Sequence, residues 1–308
     1  MTPDVVLANA FEEKRERLVA VAYRMLGSRT DAEDAVQEAW LRLARQDTGA
    51  IENLSGWLTT VVGRVCIDML RSRKARPEAS YDERLPDFVV TEDDDEAPEG
   101  SAVLAESVGL ALLVVLESLR PDERLAFVLH DMFAVPFAEI GEIIGKSTDA
   151  TKMLASRARR KVQGTPRPTD GRQQQRDVVD AFLAAARDGD FEALLRVLDP
   201  NVTVRTYTPR GVAVKVGAAE IVGAVKRGGR AAVVARRVLV NGEPGILTWG
   251  PNGKPLGVMA CTVIGGRLVE VVALLDPTRL SAMNLPGLVG IPEVATDATS
   301  TVRDEHDR

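Results

Sequence analysis

The side chains best suited to acid–base, nucleophilic or metal chemistry are scarce in this chain of 308 residues. There are two cysteines, Cys66 and Cys261, and two histidines, His130 and His306. No zinc-ligand spacing can be built from that set, and a disulfide framework is excluded. What the sequence offers in quantity is cationic side chains in clusters. Arg64, Arg71, Arg73, Lys74 and Arg76 stand with a single acid, Asp68. Lys146, Lys152, Arg157, Arg159, Arg160, Lys161, Arg167 and Arg172 stand against Asp149 and Asp170. Clustered guanidinium and ammonium groups are the electrostatic footprint of phosphate-backbone contact, although a solvated basic face gives the same pattern.

The overall net charge of −6 and the pI near 5.3 oppose that reading only on average. Residues 78–100 hold ten acids and one base, Arg84, so the rest of the chain is net basic. Proline, glycine and a run of like charge mark that stretch as a solvated linker. A sharper alternative is an intramolecular DNA mimic that masks basic surfaces. No apolar run approaches the roughly 18–20 residues of a membrane span, and the first residues lack a signal-peptide core. The expectation is a cytoplasmic protein.

The elements that would position these clusters are mostly helical at first. From Phe11 to about Arg76 the apolar residues recur at helix spacing: Leu18, Val21, Ala22 and Met25, then Ala32, Ala35, Val36, Ala39, Trp40 and Leu43, then Leu58, Val61, Val62, Val65 and Leu70. Gly27-Ser28 and a polar loop, 46–55, separate the three helices. After the acidic stretch, 103–119 reads as a helix ended by Arg120-Pro121, and that proline opens the next one. Helices follow over 137–144 and 148–162, the second N-capped by Ser147. Pro and Gly mark a second linker at 165–172.

From residue 173 the pattern changes. Two amphipathic helices, 178–186 and 191–198, precede strand-like runs at 202–207, 212–217, 231–240, 245–249, 257–264 and 267–275, expected to be antiparallel and separated by turns such as Asn241-Gly242. The chain is therefore expected to be multidomain: two all-α units, 1–77 and 103–164, joined by the linker 78–102, then an α+β domain over 173–285 and a disordered tail over 286–308.

The most specific local signal lies at 137–158. Gly141 sits where two helices would cross, Gly145 makes the turn, and Ile140, Ile144 and Leu154 fill the core between them. This is the helix-turn-helix pattern. It would present Thr148, Asp149, Lys152, Ser156 and Arg157 to the major groove, with Arg159, Arg160 and Lys161 near phosphates. Thr151 stands where Val or Ile is commoner.

The run Asp31-Ala32-Glu33-Asp34-Ala35-Val36-Gln37-Glu38-Ala39-Trp40-Leu41-Arg42-Leu43 closely resembles the region-2 core helix of bacterial sigma factors. Gly56-Trp57-Leu58, continuing to Asp68 and Arg71, resembles the helix that follows it in the extracytoplasmic-function group of the sigma-70 family, and 119–162 resembles region 4 of that group. Residues 173–285 resemble a SnoaL-like, NTF2-type cone, carried by Arg187-Asp188-Gly189-Asp190-Phe191 and Asp199-Pro200. The marks of sigma factors with that extension appear as Lys226-Arg227-Gly228-Gly229-Arg230, Tyr81…Leu85-Pro86 and Asp276-Pro277-Thr278-Arg279-Leu280.

The resemblance implies a non-enzymatic initiation factor that binds core RNA polymerase and promoter DNA and needs no cofactor, metal or membrane. Asp34, Gln37, Glu38 and Arg42 would dock on the clamp helices of the largest subunit, and region 4 would meet the flap of the second-largest. Asn53 and its loop would hold an unpaired base of the −10 element, and Arg64, Arg71, Arg73 and Lys74 would meet phosphates. Thr148, Asp149, Lys152, Ser156, Arg157 and Arg160 would read the −35 element. Gly228, Gly229, Asp276, Pro277 and Arg279 are the candidate regulatory positions. For the cone, a built-in regulator that contacts the sigma units and replaces a separate anti-sigma protein competes with a ligand sensor and a residual enzyme. For the whole chain, the rival is a helix-turn-helix regulator that acts without polymerase, and a stress-response regulon is expected of the sigma reading.

Overall fold

The computed structural model describes residues 3–46, 51, 53–75, 86–93, 109–163, 170–230 and 232–287. Three helices come first: α1 (Pro3–Leu26), α2 (Arg29–Leu43) and α3 (Leu54–Ala75). Gly27, at φ +73°, ends α1, and the Ser28 hydroxyl caps α2 by accepting from the Asp31 N–H. A second helical unit holds α4 (Leu110–Glu117), α5 (Pro121–Phe127) running into one π turn (Val128–Met132), α6 (Phe137–Ile144) and α7 (Thr148–Val162).

The third unit begins with α8 (Arg172–Asp188) and α9 (Phe191–Val197). Then come strands β2 (Leu198–Thr208) and β3 (Gly211–Val216), helix α10 (Ala218–Arg230), strands β4 (Val234–Val240), β5 (Glu243–Trp249), β6 (Pro255–Ile264) and β7 (Arg267–Leu274), and a short α11 (Pro277–Ala282). With β1 (Val90–Thr91) they form one mixed sheet in the order β1-β4-β5-β6-β7-β2-β3. The α+β reading holds, but β2 and β7 pair in parallel, not antiparallel. Helix α10 carries the chain from β3, at one edge of the sheet, to β4, which lies next to the other edge strand β1. The meander that returns from there brings β7 alongside β2 in the same sense.

Burial divides the molecule differently from chain order. Along β5, β6 and β7 successive residues alternate between two cores, as a pleated strand requires. Ile246, Cys261, Val263 and Val271 pack with Val179, Phe182 and Leu194 of α8 and α9. Leu247, Val258, Val272 and Leu274 belong instead to a cluster that is continuous with the cores of α1 to α7. Those four are at most 2% exposed, and burial of each such side chain contributes about 1.5–3 kcal/mol. The third unit is therefore packed onto the helical ones, and its sheet has no free apolar face at that position.

The acidic linker is where the sequence reading fails most. Pro86–Asp93, inside the stretch expected to be solvated, is built into the molecule. Phe88 and Val90 are buried, and Val90 and Thr91 pair with Val240 and Leu239 to add an edge strand to the sheet. The Asp93 carboxylate has no exposed surface and accepts from Arg176 Nε at 3.1 Å and Arg237 Nε at 2.6 Å. The rest of the linker, 78–85 and 94–102, lies outside the described residues, and with it Tyr81, Leu85 and Arg84.

Other differences are smaller. Residues 218–230, between two of the strand-like runs, form a helix that includes the Gly228-Gly229 pair. The helix expected over 103–119 is described from Leu110. Of the tail expected beyond 285, Gly287 is the last described residue, and Leu285 still packs on the shared core.

Glu243 opens β5 at the junction with α4, against Gly109, where an added Cβ would lie 2.4 Å from its Oε1. Burial pushes its carboxyl up to about 7, with Arg172 pulling modestly the other way. Because folding raises this pKa, the folded chain holds a proton there that the unfolded chain has released, and stability falls as pH rises from about 4.5 through 7. Glu243→Gln should unfold at the parent's temperature below pH 5 and be more stable by about 1–3 kcal/mol at pH 8.5. Thermal unfolding across that range checks it, and a difference that does not grow with pH would contradict it.

Candidate nucleic-acid interface

The helix-turn-helix is assembled as its residues dictate. Gly145 adopts φ +70° to end α6, a left-handed conformation that favours glycine. Gly141 is required at the crossing, since a Cβ there would come within 2.6 Å of the Lys146 carbonyl. Ser147 caps α7 by accepting from the Ala150 N–H. Thr151 is fully buried, yet its hydroxyl donates to the Ser147 carbonyl at 3.0 Å, so this polar residue is satisfied in an apolar position.

The outer face of α7 carries Thr148, Asp149, Lys152, Ser156, Arg157 and Arg160, all exposed as expected. Lys152 pairs with Asp149 at 3.1 Å and Arg159 with Asp131 at 2.7 Å. Sequence reasoning missed Met153, which stands 59% exposed in the middle of this face. The signal was its position opposite the buried stripe of Thr151, Ala155, Ala158 and Val162.

On α2, Asp34, Gln37 and Arg42 are exposed and Glu38 is half-buried, with a 2.9 Å pair between Arg42 and Glu38. Leu41, also missed, is an exposed apolar residue beside them. On α3, Asn53 is the N-terminal cap, its Oδ1 accepting from the Gly56 N–H at 3.0 Å. Arg64 is exposed, whereas Arg71 and Arg73 have protein partners. Arg71 donates to Asp122 of the second unit at 2.9 Å. Arg73 pairs with Asp31 and donates to the Leu26 carbonyl. The Lys74 side chain lies outside the described residues. Trp57 packs half-buried against the core.

The two helical units are in direct contact here. Gly63 of α3 lies where a Cβ would touch Ile143 and Leu125 at about 3.5–3.6 Å. Arg124 of α5 is buried between them, donating to Glu117 at 2.6 Å and to the Arg24 carbonyl of α1 at 3.1 Å. Burial works against its charge, and Glu117 offsets part of that cost.

Among the described residues the remaining cysteine and histidine side chains are packed inside the units. Cys66 and Cys261 are buried free thiols, each pushed up to about 12 by burial. His130 stacks on Phe137 and sits 2.9 Å from the Val135 carbonyl. Among the described residues no cluster of His, Cys, Asp and Glu could hold a metal ion, and no helix is long and apolar enough to cross a membrane.

Residues 10–76 match the Sigma-70 region 2 family model and residues 109–162 the Sigma-70, region 4 model. ECF RNA polymerase sigma factor SigJ of Mycobacterium tuberculosis is 39% identical over 97% of this chain and 98% of its own length. The chain belongs to the extracytoplasmic-function sigma factors. Probable ECF RNA polymerase sigma factor SigI of the same species is 35% identical over 89% of this chain and 94% of its own. The crystal structure of SigJ matches with a TM-score of 0.68 at 37% identity, over 91% of this chain and 100% of that one.

As a sigma factor the protein binds core RNA polymerase and promoter DNA and directs transcription initiation. It is a specificity subunit and not an enzyme, and the rival reading of a regulator that acts without polymerase falls away. Beyond region 4, α8 to α11 and the mixed sheet form the α+β third unit of this sigma factor. Its candidate regulatory positions are not brought together. Gly228 and Gly229 lie in the last turn of α10, where a Cβ on Gly228 would meet Val233, whereas Asp276 caps α11 through the Thr278 and Arg279 N–H groups, with Pro277 at the first turn and Leu280 in the shared core.

Proposed function

We propose that this sigma factor carries its own regulator, and that the NTF2-like unit keeps regions 2 and 4 closed on each other until polymerase and promoter are engaged. The observation that carries this reading is Asp93, a linker carboxylate with no exposed surface, clasped by Arg176 and Arg237 of the NTF2-like unit. The linker that joins the two DNA-reading units is thereby tied to the third. A −10 and a −35 element lie well apart on the duplex, so two units packed through Gly63, Leu125 and Ile143 cannot read both at once. A domain that stabilises the closed form replaces a separate anti-sigma protein, and a stress-response regulon fits such a self-restrained factor.

In the open form Asp34, Gln37, Glu38, Arg42 and the exposed Leu41 dock on the clamp helices of the largest polymerase subunit, and region 4 meets the flap of the second-largest. Asn53, Arg64, Arg71, Arg73 and Lys74 serve the −10 element. Arg71 must first leave Asp122. Thr148, Asp149, Lys152, Ser156, Arg157 and Arg160 serve the −35 element. Met153 among them is placed to touch a thymine methyl in the major groove.

Removing one partner of a buried ion pair costs about 3–5 kcal/mol. Asp93→Ala should therefore free the linker and raise promoter-directed run-off transcription several-fold at limiting sigma factor. Unchanged or lower transcription from the folded variant would contradict the regulatory reading. Lys152→Ala should weaken binding to a promoter with an intact −35 element by about 10-fold or more, measured against a −35-scrambled duplex. Equal discrimination by parent and variant would sink the assignment.

A further inference from the structure

A cavity of about 530 Å³ opens at the seam between region 2 and region 4. Arg71, Arg120, Lys146 and Arg157 line it, together with Asp122 and Leu154. Four cations thus line a cavity that holds one carboxylate, and that carboxylate is already engaged. Asp122 accepts from Arg71 at 2.9 Å and lies 3.8 Å from Lys146 Nζ. The side chains of Arg71 and Lys146 are still 48% and 40% exposed, so the carboxylate does not enclose them, and together they have more N–H donors than Asp122 can accept.

Like charges drawn together at a packed seam repel, and a bound anion removes that repulsion. Guanidinium groups match phosphate oxygens in bidentate fashion, and three of the four cations are arginines. The volume lies within the range of small-molecule sites and is too small for a duplex. Arg71 comes from α3 of region 2. The other three come from region 4, so one occupant that touches both sets pins the units together.

We infer that this cavity is a binding site for a compact polyphosphate anion, which bridges Arg71 to Arg120, Lys146 and Arg157 and stabilises the closed form. The inference rests on the closed form being the free state of the chain. It adds a soluble ligand that competes with promoter phosphates for Arg71 and Arg157.

The test uses the full-length chain with inorganic tripolyphosphate, by titration calorimetry and thermal unfolding, with sodium sulfate at matched ionic strength as the reference. The parent should bind tripolyphosphate and unfold at higher temperature in it than in sulfate. Arg120→Ala with Lys146→Ala should lower the affinity ten-fold or more. Arg187→Ala with Arg210→Ala, which removes two exposed cations elsewhere, should leave it unchanged. A nucleoside triphosphate that binds at least as well assigns a nucleotide to the site, and one that binds much more weakly assigns the bare phosphate chain. Sulfate acting as well as tripolyphosphate, or equal losses in both double variants, would overturn the site. Full binding by Arg71→Ala would overturn the bridge. A failure of Asp93→Ala to raise transcription bears on the regulatory reading and leaves this measurement standing.

Discussion

Residues 86–93 must satisfy a buried backbone and a buried charge, and they can do so only by touching two units at once. The Asp87 N–H donates to the Gly27 carbonyl, and its carboxylate caps α2 through the Arg29 N–H. Two residues on, Val89 exchanges hydrogen bonds with Asn241, whose amide also donates to the Tyr23 hydroxyl at 2.9 Å. Asn241 takes φ +51° in the tight turn between β4 and β5, a conformation that asparagine tolerates. Burial holds the Tyr23 phenol well above its ordinary pKa, so it stays protonated and able to accept from that amide. Asp93 then finishes the segment on Arg176 and Arg237. Region 2, the linker and the α+β unit thus share one polar seam.

The apolar packing reinforces that seam. The sheet face bearing Leu247, Val258, Val272 and Leu274 is continuous with the cores of regions 2 and 4. Separating the third unit would uncover that face. β1 contributes only two residues to the sheet, so the linker is held as much by Phe88 and Val90 in the core and by Asp93 on Arg176 and Arg237 as by strand pairing.

Much of this was legible in the sequence, and for identifiable reasons. Gly145, Ser147 and the apolar spacing around Ile140 and Ile144 encode the helix-turn-helix locally, and the strands announce themselves by turns such as Asn241-Gly242. The packing of the sheet on the helical units was written less openly, in runs such as 245–249 and 257–264 that are apolar on both faces. Strands of that kind have two buried faces. Helix α10 was hidden because Ile221, Val222 and Val225 suit a strand as well as a helix, and Gly228-Gly229 reads as a turn. The linker was misread because acidic composition predicts solvation unless partners are known. Arg176 and Arg237, which bury Asp93, are 83 and 144 residues away. For the same reason nothing near Arg71 in the sequence signals that Asp122, 51 residues on, stands beside it.

The central claim is that the free chain is closed, with α3 against region 4. Labels at Ser72→Cys on α3 and Gln163→Cys at the end of α7 report it directly, since the two native thiols are buried and hard to ionise. Pulsed electron–electron distance measurement on the free full-length chain should give one narrow, short distance. It should lengthen on binding core RNA polymerase and promoter DNA. A broad or already long distribution in the free chain would contradict the account.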